Sequence, residues 1–524
     1  MTRGKYKGEK LDFVVELLKN DTKLSIIEAV RVMCRHFNIQ YNENIRKGIN
    51  GLLVKKREEG DEDLEESINF LKAKEKTVDR NKNVFIITWA QNTTPIHEGF
   101  FENILAYTEY MNAGLHVIAG RYKNPTSIFA DKDQDWWSED VTEYLDANRH
   151  NLHKYLQVLS DVKVSPTAAT PLSGMNGITG VESCIIGHPR QHLKSLPVLE
   201  GYPHKLLLST GACTLPNYTD SKSGKKGEFH HMLGFIIVEL DGGDFHVRQV
   251  NADDSGNFYD IHGRAKNGRI EALDENIEIE AAILGDIHVR HSDKKVTKVV
   301  FDLLDKLKPK KTIIHDISEM ESILHWDEKD PFRLLQKEEA GTDNLEKEIQ
   351  EVIDWVGNHL KYNLVVARSN HDDMLDRWLK STDWRKSPNK KMYLKLSNIL
   401  AENEEVYKKG ILPYLIEKAY PECLITLSLD DSFRVCGWEL AMHGHLGANG
   451  SRGGHVQFKN LNTKNIVGHG HHPHREDGHI MVGTLSHLRV GFNRGPSSWM
   501  NGLCVIYPDS KAQLIHIING KYCR

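Results

Sequence analysis

Ile283-Leu284-Gly285-Asp286-Ile287-His288 is an apolar run that ends in Asp-x-His. The run predicts a buried strand, and on an extended chain alternate side chains share a side, so Asp286 and His288 reach one ion from the strand end. The pattern recurs in Thr312-Ile-Ile-His-Asp316 and in Leu364-Val-Val-Ala-Arg-Ser-Asn-His-Asp372. Met442-His443-Gly444-His445 and Ile466-Val-Gly-His-Gly-His471 come next. Three predicted strands thus deliver Asp286 with His288, then Asp316, then Asn370 with His371. Carboxylate, imidazole and amide-oxygen donors in this order suit two divalent ions held about 3.5–4 Å apart. With no thiolate among them, Mn²⁺, Fe²⁺ or Zn²⁺ is favoured over Ca²⁺ or Mg²⁺. Any one of these residues alone reads as a strand cap; the ordered set is the signal.

Beyond these motifs, histidine is over-used: the chain has 28, of which nine fall between His443 and His487. The 524 residues, 39% of them hydrophobic, suffice for cores in several domains and exclude a disordered chain. With 73 acidic and 68 basic residues the formal net charge is -5, so any attraction for nucleic acid must be local. Seven cysteines with no CxxC spacing argue against a disulfide framework and fit a reducing cytoplasm. No apolar run approaches a membrane span and no cleavable leader is read, so a soluble, non-exported protein is expected.

Residues 1–79 read as three short helices and a charged linker. Apolar positions such as Leu11, Val14, Val15 and Leu18, then Ile26, Ile27, Val30 and Met33, recur at helical spacing. A third helix is expected over Asn44–Lys56, ending in the basic Lys55-Lys56-Arg57. The trio is helix-turn-helix-like, read either as a DNA contact or as an oligomerisation arm. Residues 80–275 read as a separate α/β domain of accessory, DNA-contact or oligomerisation role. There Val84–Ile87, a helix over Glu98–Met111 and Leu115–Ile118 make a βαβ unit with a parallel sheet. A glycine-rich polar stretch from Ser209 to His231 reads as a phosphate cradle or an exposed turn. His230, His231, His246 and Arg248 read either as a second polar cluster or as satisfied structural residues beside strands. Residues 276–524 contain the metal motif.

The ordered motif resembles the calcineurin-like metallophosphoesterases, over roughly residues 280–500. That resemblance implies an α/β fold in which 276–524 form a double-sheet αββα sandwich. It makes Asp286, His288 and His471 ligands of one metal and Asn370, His443 and His469 ligands of the other, with Asp316 bridging. His371 would be the catalytic acid. His445 competes with His443 for its place, and the pattern favours His443. Three departures stand out: His315 and Ser369 where the family has glycine, and Gly470 where it often has threonine.

Further stretches, among them Arg121-Tyr-Lys-Asn-Pro-Thr-Ser127, Asn217-Tyr-Thr-Asp-Ser221 and Gly227-Glu-Phe-His-His231, resemble the family of pre-early host-DNA-degrading proteins (deoxyribonucleases) of T5-like phages. The resemblance implies two divalent metal ions, Mn²⁺ foremost, and hydrolysis of DNA phosphodiesters in the cytoplasm of the infected host. DNA is then the partner, a homo-oligomer is expected, and no membrane is involved. Arg290, Arg368, Arg452 and Arg475, with Arg489 and Arg494, are candidates for holding the phosphate backbone, surface charge being the other reading. The alternatives are a small-molecule phosphatase or phosphodiesterase, and a DNA-binding regulator or scaffold with a structural metal site.

Overall fold

The computed structural model describes residues 8–20, 26–39, 41, 45, 48, 49, 52, 53, 81–129, 136–273, 279–491 and 493–524. Two compact units result, one of residues 1–80 with 128–136 and one of 81–127 with 137–524. In the first, helices Glu9–Asn20 and Ile26–His36 bury Leu11, Val14, Val15 and Leu18, and Ala29, Val30, Met33 and Cys34, in one cluster. The stripes at i, i+3 and i+4 explain why these segments coil and pack. The third expected helix and its basic end lie largely outside the described residues, though Ile45, Ile49, Leu52 and Leu53 join that cluster.

The second unit is mixed α/β. Among the described residues its strands form four sheets. The expected βαβ unit is present: strands Val84–Gln91 and Gly114–Gly120 pair in parallel around the helix Glu98–Tyr110. They lie in a five-stranded sheet with Gly234–Asp241, Asp244–Asn251 and Leu145–Asp146.

The sheet that carries the ligand motif has the order Ile425–Leu427, Leu364–Ala367, Thr312–Ile314, Ala281–Leu284, Asn501–Ile506, Ala512–Ile517. Its first four strands are parallel and the last two antiparallel. Strict alternation sorts its side chains between two cores. Ala281, Ile283, Ile313, Val365 and Ala367 meet Trp438, Leu440, Ile466, Ile480 and Val482 of the facing segments. Ala282, Leu284, Ile314, Leu364 and Val366 instead meet helices, including Val300 and Leu304 of Lys294–Leu307 and Val352 of Leu345–His359. Each such aliphatic side chain contributes about 1.5–3 kcal/mol by leaving water.

Strands from distant parts of the chain build the ten-stranded sheet. Leu193–Leu196 pairs antiparallel with His474–Glu476, joining the strands within 149–209 to those within 434–481. A boundary at 275/276 therefore runs through a shared sheet, where the sequence pattern predicts a separate middle domain.

Candidate metal centre

Strand ends from both large sheets converge on one place. Ala281–Leu284 leads into Asp286 and His288, Thr312–Ile314 into Asp316, and Leu364–Ala367 into Asn370 and His371. Lys464–Val467 leads into His469 and His471, and His443 comes after Trp438–Glu439. Four of these residues, His288, Asp316, His469 and His471, have φ of 46°, 47°, 67° and 55°. Non-glycine residues adopt that left-handed region at a cost of order 1–3 kcal/mol each, which the surrounding packing must hold and which clusters at functional sites.

The donor atoms form several overlapping groups, and two of them share Asp316. Within the first, Asp286, His288, Asp316 and His471 each place one ligand atom within 4.8 Å of the others; Asp316, His443 and His469 form the second. Asp286 Oδ2 lies 2.8 Å from His471 Nε2, and His288 Nε2 lies 3.1 Å from the same nitrogen. Asp316 Oδ2 is 3.7 Å from His288 Nε2 and 3.3 Å from His443 Nε2, so its carboxylate touches both groups. Asn370 Oδ1 completes the second group, 2.9 Å from His443 Nε2 and 3.0 Å from His469 Nδ1. All seven residues expected as ligands are thus brought together. Oxygen and imidazole-nitrogen atoms gathered this closely are a donor set that fits divalent cations, and these Asp/His groups could hold a metal ion.

The charge pattern agrees. Burial raises the Asp286 and Asp316 carboxyls, but the surrounding imidazoles, His471 and His443 for Asp286 and His443 and His371 for Asp316, carry both well below the usual range. Burial lowers His288, yet Glu319, Asp316 and Asp286 lift it to about 10. The carboxylates thus stand ready as anions, and burial holds His469 down to about 4 and lowers His471, favouring the neutral imidazole that a metal takes as a ligand. Asp286, His288, Asp316 and His443 are buried, whereas Asn370, His371 and His469 are partly exposed and mark the open side.

A supporting shell explains two of the three departures and adds residues that the motif did not indicate. His315 Nδ1 sits 2.8 Å from Asp286 Oδ1, so this histidine orients the carboxylate. Glu319 Oε2 lies 2.8 Å from His288 Nδ1, an ion-pair contact of the carboxylate–histidine kind that orients a ligand ring. Its other oxygen is 3.5 Å from His371 Nδ1. Ser369 Oγ donates to Asp372 Oδ2 at 2.7 Å, and Asp372 Oδ1 accepts from the Ser318 N–H at 3.2 Å. Burial, then the charge of Asp316, pushes Asp372 up to about 7. As for Gly470, a Cβ there would come within 2.2 Å of Met481 Sδ. The one hint of Glu319 in the sequence is its place three residues after Asp316, whereas His315 stood out as a departure from the family's glycine. Of the competing pair, His443 meets Asp316, while burial and the charge of His443 hold His445 down to about 3.

The candidate arginines are placed differently. Arg290 is engaged by Glu351 at 2.8 Å, Glu321 at 3.5 Å and Glu348 at 3.7 Å, so it braces the fold. Arg368 pairs with Asp373 and donates to the Lys408 carbonyl at 2.6 Å. Arg475 is buried with Asn251, Arg489 donates to the Gly495 carbonyl, and Arg452 and Arg494 are exposed. In the polar stretch, His231 is satisfied by Tyr218 Oη at 2.7 Å and the Thr214 carbonyl at 2.8 Å. Arg248 is buried between Asp260 and Glu239. Lys222–Phe229 is a helix capped by Ser221.

No protein-family model matches the chain. Protein A1 of Escherichia phage T5 is 31% identical over 468 residues, covering 84% of this chain and 82% of that protein. The chain belongs to the family of phage T5 Protein A1. Among solved structures, Vps29 of Chaetomium thermophilum aligns with 34% of this chain and 93% of its own, at 11% identity and a TM-score of 0.19, too slight to bear on the fold. Among the described residues, no helix is long and apolar enough to cross a membrane.

Proposed function

We propose that this member of the Protein A1 family is a metal-dependent deoxyribonuclease with a binuclear, calcineurin-like metallophosphoesterase centre, acting on host DNA in the cytoplasm of the infected bacterium. The observation that carries the reading is the Asp316 carboxylate shared by two donor groups, with Asn370 Oδ1 between the two histidines of the second. Asp286, His288 and His471 would hold one ion, Asn370, His443 and His469 the other, and Asp316 both; Mn²⁺ suits this oxygen–nitrogen set. When bound, the two cations supply Lewis-acid activation of the phosphodiester and stabilise the charge that develops on it.

The chain's own groups do the rest. Glu319 holds the His288 ring and, beside His371 Nδ1, fixes the orientation in which His371 presents Nε2 to the leaving sugar oxygen. The partly exposed Asn370, His371 and His469 define the side from which a DNA strand approaches.

The test is a gel assay on linear and circular double-stranded DNA with Mn²⁺, Mg²⁺ or EDTA, using wild type, Asp316→Asn and His371→Gln. Expected are cleavage with Mn²⁺ that EDTA abolishes, no activity in Asp316→Asn, and a fall of about 10²–10⁴-fold in His371→Gln. Intact DNA alongside hydrolysis of a small phosphoester would replace this reading with a phosphatase. Neither substrate cut despite bound metal would leave a structural metal site.

A further inference from the structure

A cavity of about 410 Å³ is lined by none of the metal-centre residues. Its wall is built around Arg475, on the strand His474–Glu476 and only 6% exposed. The guanidinium donates through Nη2 to Asn251 Oδ1 and through Nη1 to the Ala512 carbonyl at 3.4 Å. Asn251 and Ala512 both line the cavity, so the charge faces it. The Asn251 amide is held in that orientation because its Nδ2 donates to Gln191 Oε1 at 2.8 Å.

Among the described residues no carboxylate forms an ion pair with Arg475, and burial draws it down to about 10, with the Cys504 thiol the one neighbour opposing the shift. Lys464 and Lys511 line the same cavity. Lys464 Nζ lies 5.6 Å from the centroid of the Trp438 ring, and burial, Lys511 and Arg475 all lower its affinity for a proton. Of the carboxylates on the lining, Asp253 Oδ1 accepts from the N–H groups of Ser255 and Asn257, Glu228 pairs with Lys225, and Asp254 stands beside Asp253; none of the three forms an ion pair with Arg475. Arg475 is thus a buried cation without an ion-pair partner among the described residues, and its desolvation is a cost that a bound anion offsets, with Lys464 and Lys511 on the same lining to assist. Leu215, Pro216, Leu233 and Ala252 add an apolar surface, and the volume lies in the range of small-molecule sites.

We propose that this cavity is a second ligand site, which takes a nucleoside monophosphate with its phosphate on Arg475, Lys464 and Lys511 and its base or sugar on the apolar wall. The site is separate from the metal centre and does not depend on the nuclease reading. The experiment is isothermal titration of the full chain in EDTA with deoxyadenosine monophosphate, inorganic phosphate and deoxyadenosine, repeated with Lys464→Met and Lys511→Met, whose folding is checked by circular dichroism. Expected are one monophosphate bound per chain, weaker binding of inorganic phosphate, none of deoxyadenosine, and a loss of about tenfold or more in affinity in each variant. Absence of monophosphate binding, or affinity unchanged in both variants, would overturn the site. Inorganic phosphate binding as tightly as the nucleotide would overturn the nucleoside assignment.

Discussion

Glu319 lies against His288 and His371, and His315 against Asp286 and His443, so neither is among the seven expected ligands but both touch them. Removing the charge of a carboxylate behind a ligand histidine lowers metal affinity by about 10–100-fold while the donors remain in place. Glu319→Gln is therefore expected to weaken Mn²⁺ binding by that factor in a titration while saturating Mn²⁺ restores much of the activity; an unchanged affinity would sink the role assigned to Glu319. Among single residues the sequence was legible where a residue type repeats in one context, an apolar run ending in Asp, Asn or His. It was silent on Glu319, because a single carboxylate at the right distance in space carries no spacing signature along the chain, and it flagged His315 and Ser369 only as departures without a role. The arginines show the converse: Arg290 stood beside a ligand motif, yet its charge is engaged by Glu351, Glu321 and Glu348.

The elements act by ending in the right place. Parallel strands buried on both faces read as continuous apolar runs, which is why Ala281–Leu284, Thr312–Ile314 and Leu364–Ala367 could be recognised from composition alone. The turns at their ends have little room to spare. At Gly468, a Cβ would stand 2.1 Å from His315 Cε1 and 2.2 Å from Asp286 Oδ1, so the turn before His469 and His471 closes only around a bare backbone. Gly468→Ala is predicted to cost about 1–3 kcal/mol of stability through overpacking and to displace Asp286, abolishing metal binding. Thermal unfolding and Mn²⁺ titration of the variant check this. A variant that binds Mn²⁺ like wild type would show that the turn tolerates the methyl and that Gly468 is not required for packing.

Across the whole molecule, the centre depends on two sheets whose strands come from both halves of the chain. The pairing of Leu193–Leu196 with His474–Glu476 spans about 280 residues of sequence, and a period-two pattern tells a strand which face to bury but not which partner to find. That is why the βαβ unit at 84–120, a local object, was readable while the shared sheet was not. The abundance of histidine also has a global consequence. Burial holds His188 and His516 down to about 3 and His231 down to about 4, so these rings stay neutral in the folded chain. Since their folded pKa values are depressed below the unfolded value near 6.5, their contribution to stability is full above about pH 6.5 and is lost as pH falls toward 3–4. In the presence of chelator, the urea midpoint is expected to drop steadily from pH 7 to pH 5, each such histidine adding up to about 1.4 kcal/mol per pH unit, with a shallower slope in His516→Gln. A midpoint flat over that range would contradict the burial assigned to them.

The proposed chemistry stands or falls on whether the two donor groups sharing Asp316 hold two ions. Anomalous diffraction from Mn²⁺-soaked crystals at the manganese edge answers that question. Two peaks about 3.5–4 Å apart are expected, one among Asp286, His288 and His471 and one among Asn370, His443 and His469, with the Asp316 carboxylate between them. A single peak, or peaks away from Asp316, would refute the binuclear centre.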